Sequence, residues 1–268
     1  MAWDDVVGGV SRIQDSLIES QKFSRKIGRL FVGEDWRERF DSEQDLQRYL
    51  VDLCDSDVND LTVFRLPSSL LDLINRTEFN NRTLLFSGTL VYWEIRLDDN
   101  MKISQMEDES IVTAQYLSKN KYSELSHVLE TSFSNYKNHY TANPFLALVS
   151  ATDTYSDWAF TVLENNPENV ILVNLDGRIA GLAVISTNRD GPVEILLAGV
   201  AEDFQRRGAY TSLLRGVCRI AAQRGFSHVV ISTQSKNIAV QKAWSKAGFS
   251  PALSIDTFHS MAKKLSQL

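Results

Sequence analysis

Cysteine, proline and glycine are scarce in this sequence. The 268 residues include 2 Cys, 5 Pro and 13 Gly. Cys54 and Cys218 have neither a CxxC motif nor Cys/His spacing, so a metal site and a disulfide framework are not expected. The two cysteines are interpreted as reduced core residues of a cytoplasmic protein. The low content of proline and glycine excludes fibrous and low-complexity classes.

Long apolar runs and an excess of positive charge are also missing. No segment approaches the roughly 20 apolar residues that a membrane-spanning helix needs. The beginning of the chain, MAWDDVVGGV, is acidic where a signal peptide would be positively charged. The formal net charge is −6 and the isoelectric point is near 5.3. Such a charge repels nucleic acids and anionic membranes, so neither is an expected partner.

The charge is unevenly distributed along the chain. Residues 1–110 contain 13 Lys and Arg against 22 Asp and Glu, whereas the remainder contains 15 against 12. This change of sign predicts a boundary near Asp98-Asp99-Asn100 and an anionic ligand in the second part. We therefore expect two domains, residues 1–105 and 106–268. The first is predicted to be a smaller α/β domain without catalytic residues, a scaffold or a unit that forms a homodimer.

Apolar patterns predict the elements of an α/β protein. In the first part they indicate helices over Glu43–Cys54 and Pro67–Phe79 and strands over residues 62–66 and 84–97. Asp176-Gly177 stands between two apolar runs, which predicts a hairpin with a two-residue turn. The remaining predicted elements alternate strand and helix: Val193–Val200, Thr211–Arg224, His228–Thr233, Ile238–Ala247 and Leu253–Ala262.

The most informative segment follows the strand Val193–Val200. There Gln205-Arg206-Arg207-Gly208-Ala209-Tyr210 opens a helix. The unpaired amides of a first helical turn and the helix dipole together attract anions, and a glycine lets a phosphate approach the backbone closely. Two arginines add positive charge. The segment is predicted to bind a pyrophosphate, although it has neither a Walker lysine nor a GxGxxG motif.

A second motif supports the interpretation of the first. A strand is followed by Asn237 and a helix that reads NIAVQKAWSKAGF. With the preceding segment this resembles the GNAT superfamily of acetyl-CoA-dependent N-acetyltransferases over residues 111–268. The residues that carry the resemblance are Gln205, Gly208, Asn237, Trp244, Gly248 and Phe249. The resemblance implies a GNAT fold, in which helices flank a mixed central sheet, and acetyl-CoA as co-substrate.

The resemblance also implies where acetyl-CoA binds. Main-chain groups of Leu197, Ala198, Gly199 and Val200 are expected to pair with the pantetheine arm as an added strand. The pyrophosphate is expected at Gln205, Arg206, Arg207, Gly208, Ala209 and Tyr210, and Asn237 is expected to reach the pantetheine. Tyr210 stands where the family usually has Gly or Ala. Trp244 stands where a tyrosine often acts as general acid, and because an indole cannot protonate a thiolate, Trp244 is expected to pack against CoA.

Two residues are candidates for acid–base catalysis. Glu194 matches a glutamate that is the general base in some members of the family and orients water in others. His259 is the alternative, because imidazole titrates near neutral pH and the last strand of this fold runs close to the acceptor side. His139 and Tyr140 lie in a long connection where the superfamily builds its acceptor pocket, so they are predicted to bind the acceptor.

The combination of motifs resembles the bacterial dTDP-fucosamine acetyltransferases and their nucleotide-sugar relatives. The implied reaction transfers acetyl to the amino group of a dTDP-linked amino sugar, for a surface polysaccharide such as lipopolysaccharide. Two alternatives stay open. One is a GNAT enzyme that acetylates another amine: a protein N-terminus, a lysine, a polyamine or an antibiotic. The other is a module that binds acyl-CoA without catalysis.

Overall fold

The computed structural model describes residues 3–8, 12–97, 110–134, 136–146, 151–188 and 191–263. Its α-helices are α1 (Trp3–Val7), α2 (Leu17–Phe23), α3 (Glu43–Asp55), α4 (Leu71–Asn75), α5 (Tyr122–Phe133), α6 (Ala151–Asn165), α7 (Ala209–Gln223) and α8 (Ile238–Ala247). Its strands are β1 (Gln14–Asp15), β2 (Ile27–Phe31), β3 (Leu61–Pro67), β4 (Arg82–Arg96), β5 (Ile111–Thr113), β6 (Val170–Leu175), β7 (Arg178–Thr187), β8 (Val193–Val200), β9 (His228–Gln234) and β10 (Ser250–Ala262).

The chain forms two compact units that are not consecutive halves of the sequence. Unit 1 consists of Met1–Val91, Asn138–Val149 and Leu253–Leu268, and unit 2 of Tyr92–Lys137 and Ser150–Ala252. This division differs from the single boundary predicted at residue 105, because two later segments pack with the first. The predicted boundary and the turn at Asp98-Asp99-Asn100 lie outside the described residues.

Unit 1 contains the strand order β1-β2-β3-β10-β4. β3 pairs with β2 in parallel and with β10 antiparallel. Every residue of β3 is buried, because its side chains alternate between two cores, with Phe64 and Leu66 in one and Leu61 and Val63 in the other. Ser42 is the N-cap of α3, and its hydroxyl accepts a hydrogen bond from the Asp45 amide. The apolar side of α3 packs Leu46 and Leu50 into the core that Phe258 of β10 joins.

A buried ion pair supports the edge of this core. Arg82 and Asp57 lie 3.0 Å apart, and their side chains are 1% and 2% exposed. Arg82 also donates to the Asn59 carbonyl and to the hydroxyl and carbonyl of Ser260. A buried charge is tolerated when it is paired and hydrogen-bonded in this way.

The helix predicted over Pro67–Phe79 is shorter in the structure. Pro67 ends β3, where it pairs with Ile255, and a single 3₁₀ turn over Ser68–Leu70 leads into α4. Proline suits the start of a helix, but here its place in the sheet takes precedence. The two strands and the helix Glu43–Cys54 predicted for this region correspond to β3, β4 and α3.

Unit 2 contains the strand order β4-β9-β8-β7-β6-β5. β8 and β9 are parallel, while β8, β7, β6 and β5 pair antiparallel in succession. α7 packs against β6, β7, β9 and α8, and α5 packs against β7, β8 and α6. The predicted fold class, a mixed sheet flanked by helices, is confirmed.

The predicted hairpin turn is also confirmed. Asp176 and Gly177 form the two-residue turn between β6 and β7, where Leu175 pairs with Arg178. Both turn residues have positive φ, 53° and 75°, as a type I′ turn requires.

Cys54 and Cys218 are buried free thiols. Among the described residues, no helix combines the length and the apolar character needed to cross a bilayer.

Candidate functional site

The carboxyl-terminal half of β8 diverges from β9, the strand parallel to it. Among the described residues, β8 pairs with β9 from Val193 to Ile195, although β8 continues to Val200. On the other side, Val184 pairs with Leu197 and Ile185 with Ile195, so Leu196 forms a β-bulge. A bulge bends a strand and re-aims its backbone. Residues 197–200 therefore pair with β7 and present their other edge for an added extended chain.

Glycine at position 199 allows a helix to approach this strand. A Cβ at Gly199 would lie 2.7 Å from the Ser132 Cβ of α5, which is closer than side chains tolerate. The opposite face of the strand is thus closely packed by α5. This packing holds the bent part of β8 in place.

The segment between β8 and α7 has two residues in the left-handed region. Arg206 has φ 61° and Gly208, the N-cap of α7, has φ 84°. The Ser212 amide makes its helical bond to the Gly208 carbonyl, so the amides of residues 209–211 precede that first helical bond. Left-handed residues near a helix start arrange successive amides into a concave anion site. Side-chain space beyond Gly208 is open, with nothing within 4 Å of a Cβ.

Three predicted phosphate-binding side chains differ in their surroundings. Arg207 is paired with Asp176 at 2.7 Å and lies over the Phe204 ring. Gln205 directs its amide towards the Val200 carbonyl at 3.5 Å. Arg206 is exposed, which leaves it accessible to a diphosphate in solvent.

Asn237 lies at the start of α8, directly after β9. Its side-chain amide donates to the Thr233 hydroxyl at 3.1 Å, and its main-chain amide donates to the Gln234 carbonyl. These contacts fix Asn237 at the carboxyl end of the strand that diverges from β8.

Tyr210 and Trp244 contact each other across α7 and α8. The Trp244 indole N–H donates to the Tyr210 hydroxyl oxygen at 3.0 Å, and the indole packs edge-on against Trp93. Trp244 is 1% exposed. Burial raises the pKa of Tyr210 to about 12, with the Trp244 hydrogen bond opposing it. The Tyr210 side chain points towards Trp244. Its main-chain amide therefore lies at the start of α7 together with the amides of the neighbouring residues.

Glu194 is a buried carboxyl group in unit 2. It is 5% exposed and lies on β8, opposite Ser186 of β7 and beside Val230 of β9. The bulge at Leu196 follows two residues later. Glu194 therefore lies in the strand just before the bend that opens the β8 edge.

The other predicted residues come together in unit 1. His139 Nδ1 lies 2.9 Å from His259 Nε2, and the Asn143 side-chain nitrogen lies 2.9 Å from His259 Nδ1. The Asn143 Oδ1 accepts the Phe145 amide, so its NH₂ group faces His259. That donor requires a lone pair on Nδ1, which places the His259 proton on Nε2, towards His139.

Burial determines the charge of this pair. His259 is completely buried and His139 is 7% exposed. Burial first, and then the positive charge of Arg65, lower the pKa of His259 to about 4 and hold the pKa of His139 well below its ordinary value. Both rings are therefore neutral at neutral pH. With both His259 nitrogens engaged, the geometry favours a positioning role for this residue, and its predicted catalytic role stays untested.

Tyr140 extends this cluster towards the surface. Its hydroxyl donates to Glu19, which is also paired with Arg29 at 2.7 Å. The Tyr140 ring lies 3.9 Å from the His139 ring and 4.8 Å from Phe23, measured between centroids. Sequence reasoning selected His139, Tyr140 and His259 but missed the residues that orient them. Nothing in the local pattern marks Asn143 or Glu19, since their partners in this cluster, His259 and Tyr140, are more than 100 residues away.

A family model described as "Acetyltransferase (GNAT) family" matches residues 131–249. A search of curated protein sequences finds no match. Among solved structures, a GCN5-related N-acetyltransferase from Sphaerobacter thermophilus is 15% identical with a TM-score of 0.54, over 87% of this chain and 72% of that one. A GNAT-family acetyltransferase from Colwellia psychrerythraea is 14% identical with a TM-score of 0.54, over 89% and 80%.

A third structure is the GCN5-related glucosamine N-acetyltransferase region of a fungal multi-domain GH3 β-N-acetylglucosaminidase, 11% identical with a TM-score of 0.53, over 92% of this chain and 31% of that one. At these identities the likeness concerns the fold. Residues 131–249 of this chain are thus similar to the GNAT acetyltransferase family, and the solved structures share the fold of the chain.

Proposed function

We propose that this protein is an acetyl-CoA-dependent N-acetyltransferase that acetylates the amino group of a nucleotide-linked amino sugar, with dTDP as the expected nucleotide. The observation that carries the co-substrate assignment is the divergence of β8 from β9 after Ile195, beside the start of α7. Acetyl-CoA supplies an activated acetyl thioester.

The edge of β8 suits an extended chain that carries amide groups. Main-chain donors and acceptors of residues 197–200 would pair with such a chain as a neighbouring strand does. Asn237 lies at the end of the opposite strand and offers a side-chain amide. This arrangement supports the predicted pantetheine contacts of Leu197, Ala198, Gly199, Val200 and Asn237.

The start of α7 suits a diphosphate. Its amides precede the first helical hydrogen bond, the dipole of a 15-residue helix points its positive end there, and the space at Gly208 is open. Arg206 adds an exposed positive charge. A bulky side chain at residue 208 would fill the space that a phosphate needs.

Amide formation requires a neutral amine and loss of one amine proton. We propose Glu194 as the group that takes this proton, directly or through a water. Its place in β8, next to the bulge, supports this role. His259 is assigned to positioning, since its ring nitrogens face Asn143 and His139.

The acceptor assignment rests on unit 1 and on the sequence resemblance. Burial lowers the pKa of His139 and His259, and Arg65 lowers both further, while Glu19 raises the pKa of His259. A positive side chain near these rings supports an anionic nucleotide as the acceptor. His139 and Tyr140 remain the proposed acceptor-binding residues. A glucosamine N-acetyltransferase region has a similar fold, which is consistent with an amino sugar as the acceptor.

Thiol release tests this proposal. Acetyl-CoA is supplied with a panel of dTDP- and UDP-linked amino sugars, with spermidine and a lysine peptide in parallel. We expect release with a nucleotide-linked amino sugar, and intact mass of the product should increase by one acetyl group. Release with spermidine or the peptide alone would refute the acceptor. If calorimetry shows binding of acetyl-CoA and every acceptor is inactive, a non-catalytic acyl-CoA module is the better description.

A further inference from the structure

The two histidine rings of unit 1 belong to a chain of hydrogen bonds that has one direction. The Asn143 NH₂ group faces His259 Nδ1, so the His259 proton is on Nε2, which lies 2.9 Å from His139 Nδ1. Because His259 donates in this contact, His139 Nδ1 accepts with its lone pair. A neutral imidazole has one ring N–H, so the proton of His139 is on Nε2. The chain therefore ends in an N–H donor.

This terminal N–H is open to a ligand. Among the described residues, His139 Nε2 has no hydrogen-bond partner. The ring is 7% exposed, its Nδ1 faces His259, and it lies against Tyr140 with 3.9 Å between the ring centroids. The exposed part of His139 thus falls on the remaining sides of the ring, which include Nε2. A polar hydrogen in a mostly buried place normally has an acceptor, and an acceptor from outside the chain fits here.

The turn that carries His139 is held in place by its neighbours. The Asn138 side chain accepts the Tyr140 amide at 2.9 Å, and the Asn143 amide donates to the Tyr140 carbonyl at 3.1 Å. The Tyr140 hydroxyl donates to Glu19 of α2. The donor on His139 is therefore positioned before any ligand arrives.

Two arginines share a face of the unit 1 sheet with His259. Side chains two residues apart in a strand point to the same side, as do side chains that lie directly opposite each other on paired strands. Arg65 of β3 lies opposite Thr257 of β10, two residues before His259. Arg29 of β2 lies opposite Val63, which in turn lies opposite His259. Both guanidinium groups are thus on the side of the sheet that the histidine rings cover.

Positive charge exceeds negative charge among the three charged side chains of this cluster. Arg29 pairs with Glu19 at 2.7 Å, which balances one charge of each sign. Arg65 is 9% exposed and donates to the Thr257 hydroxyl, a neutral group, at 3.3 Å. After burial, which has the largest effect, Arg65 lowers the pKa of both rings, while Glu19 raises that of His259. An excess of positive charge beside an N–H donor attracts an anion.

We propose that His139 Nε2–H donates to a phosphate oxygen, and that His259 and Asn143 are positioning residues that keep the proton on this nitrogen. In the proposed function, on which this site rests, the phosphate belongs to the diphosphate of the acceptor nucleotide. A metal ion would need a lone pair on Nε2, and a cationic ligand would be repelled by the excess positive charge. Phosphate oxygens only accept from such a donor, and a hydrogen bond to a charged group is among the stronger ones.

Nuclear magnetic resonance of the histidine nitrogens tests the direction of the chain. At neutral pH both His139 and His259 should show the Nε2–H tautomer. Titration with dTDP should shift the His139 Nε2 resonance, and inorganic phosphate is titrated in parallel. A shift with both anions identifies a general phosphate site, and a shift with dTDP alone identifies a nucleotide site. If neither anion shifts this resonance, or if the His139 proton is on Nδ1, the inference is wrong.

Calorimetry with dTDP measures the affinity, with CoA present at saturation so that the start of α7 is occupied. His139→Phe removes the donor and should raise Kd by about 10- to 100-fold. His139→Gln has an amide oxygen for His259 and an amide N–H for the ligand, so its Kd should remain close to that of the wild type. His127→Phe is the matched control, because it removes an exposed histidine from α5 in unit 2, and it should leave Kd unchanged.

Equal Kd values for the wild type and His139→Phe would overturn the site. If His139→Phe does not fold, the titration of the wild type still decides. Asn143→Ala tests the positioning role: both tautomers of His259 become available, so the His139 proton should divide between its two nitrogens. Unchanged tautomers in Asn143→Ala would contradict that role.

The same measurements separate this site from the proposed function. If a nucleotide-linked amino sugar is acetylated while dTDP leaves the His139 resonance unchanged, the site is wrong and the proposed function stands. If dTDP shifts His139 and no acceptor in the panel is acetylated, the anion site stands and the proposed function fails.

Discussion

Gly208→Val is the most direct perturbation of the proposed diphosphate site. Gly208 has φ 84° and no atom lies within 4 Å of a Cβ at this residue. A β-branched side chain at positive φ costs about 1–2 kcal/mol of backbone strain. Because the space is open, steric clashes with the rest of the chain add little to this cost in stability. The larger effect is a loss of affinity for the ligand, because the valine occupies the side from which a phosphate approaches the amides.

The loss of affinity follows from the hydrogen bonds that are blocked. Two amide bonds to a charged phosphate are together worth about 3–6 kcal/mol. This predicts that Kd for acetyl-CoA rises by roughly 10²- to 10⁴-fold. Titration calorimetry measures Kd, and thermal unfolding measures the strain separately.

Gly225→Val provides a matched control. Gly225 follows α7, has φ 88° and is equally open, with nothing within 4 Å of a Cβ. It should cost similar stability and leave Kd unchanged. Equal Kd values for the two variants, or equal losses in both, would refute the assignment of the phosphate site to the start of α7.

Three further outcomes are expected. Glu194→Gln should lower kcat roughly 10²-fold or more while Kd for acetyl-CoA is unchanged, as followed by thiol release and calorimetry; unchanged kcat would exclude a base role. The pKa of His259 is lowered from 6.5 to about 4 in the folded protein. Between these pH values the unfolded chain therefore binds more protons than the folded protein. The free energy of unfolding should fall as the pH drops from 6.5 to about 4. Denaturant titrations should show a weaker pH dependence in His259→Phe, and an identical one would contradict this. Arg82→Met leaves the buried Asp57 carboxylate without its ion-pair partner and should lower the free energy of unfolding by about 3–5 kcal/mol, as measured by urea unfolding. Arg48→Met, which removes an exposed ion pair, is the control and should cost less than about 1 kcal/mol.

Elements with local signals were predicted well from the sequence. β8 and α8 have the predicted limits, because each is an amphipathic or apolar run that ends at turn or capping residues. Asp176-Gly177 and Gly248 mark such ends through positive φ. The segment proposed to bind phosphate was selected for the same reason, since a glycine before a helix is a local pattern.

Features that depend on distant pairing were not predictable. β3 and β10 pair residues 61–67 with residues 255–261, and no periodicity in either segment specifies the other. Asn143 fixes the tautomer of His259 through a contact between segments 116 residues apart. Tyr210 and Trp244 were each interpreted alone as departures from a pattern, and the contact that joins them exists only in three dimensions.

The place of β10 in unit 1 has a consequence for synthesis of the chain. Residues 255–261 supply a strand that lies between β3 and β4, yet the ribosome makes them after all of unit 2. The first 91 residues therefore cannot complete their sheet while the following segments emerge, and they expose the β3 edge during that time. We expect unit 2 to acquire protease resistance first in nascent chains, and a protein shortened to residue 252 to lose the cooperative unfolding of unit 1.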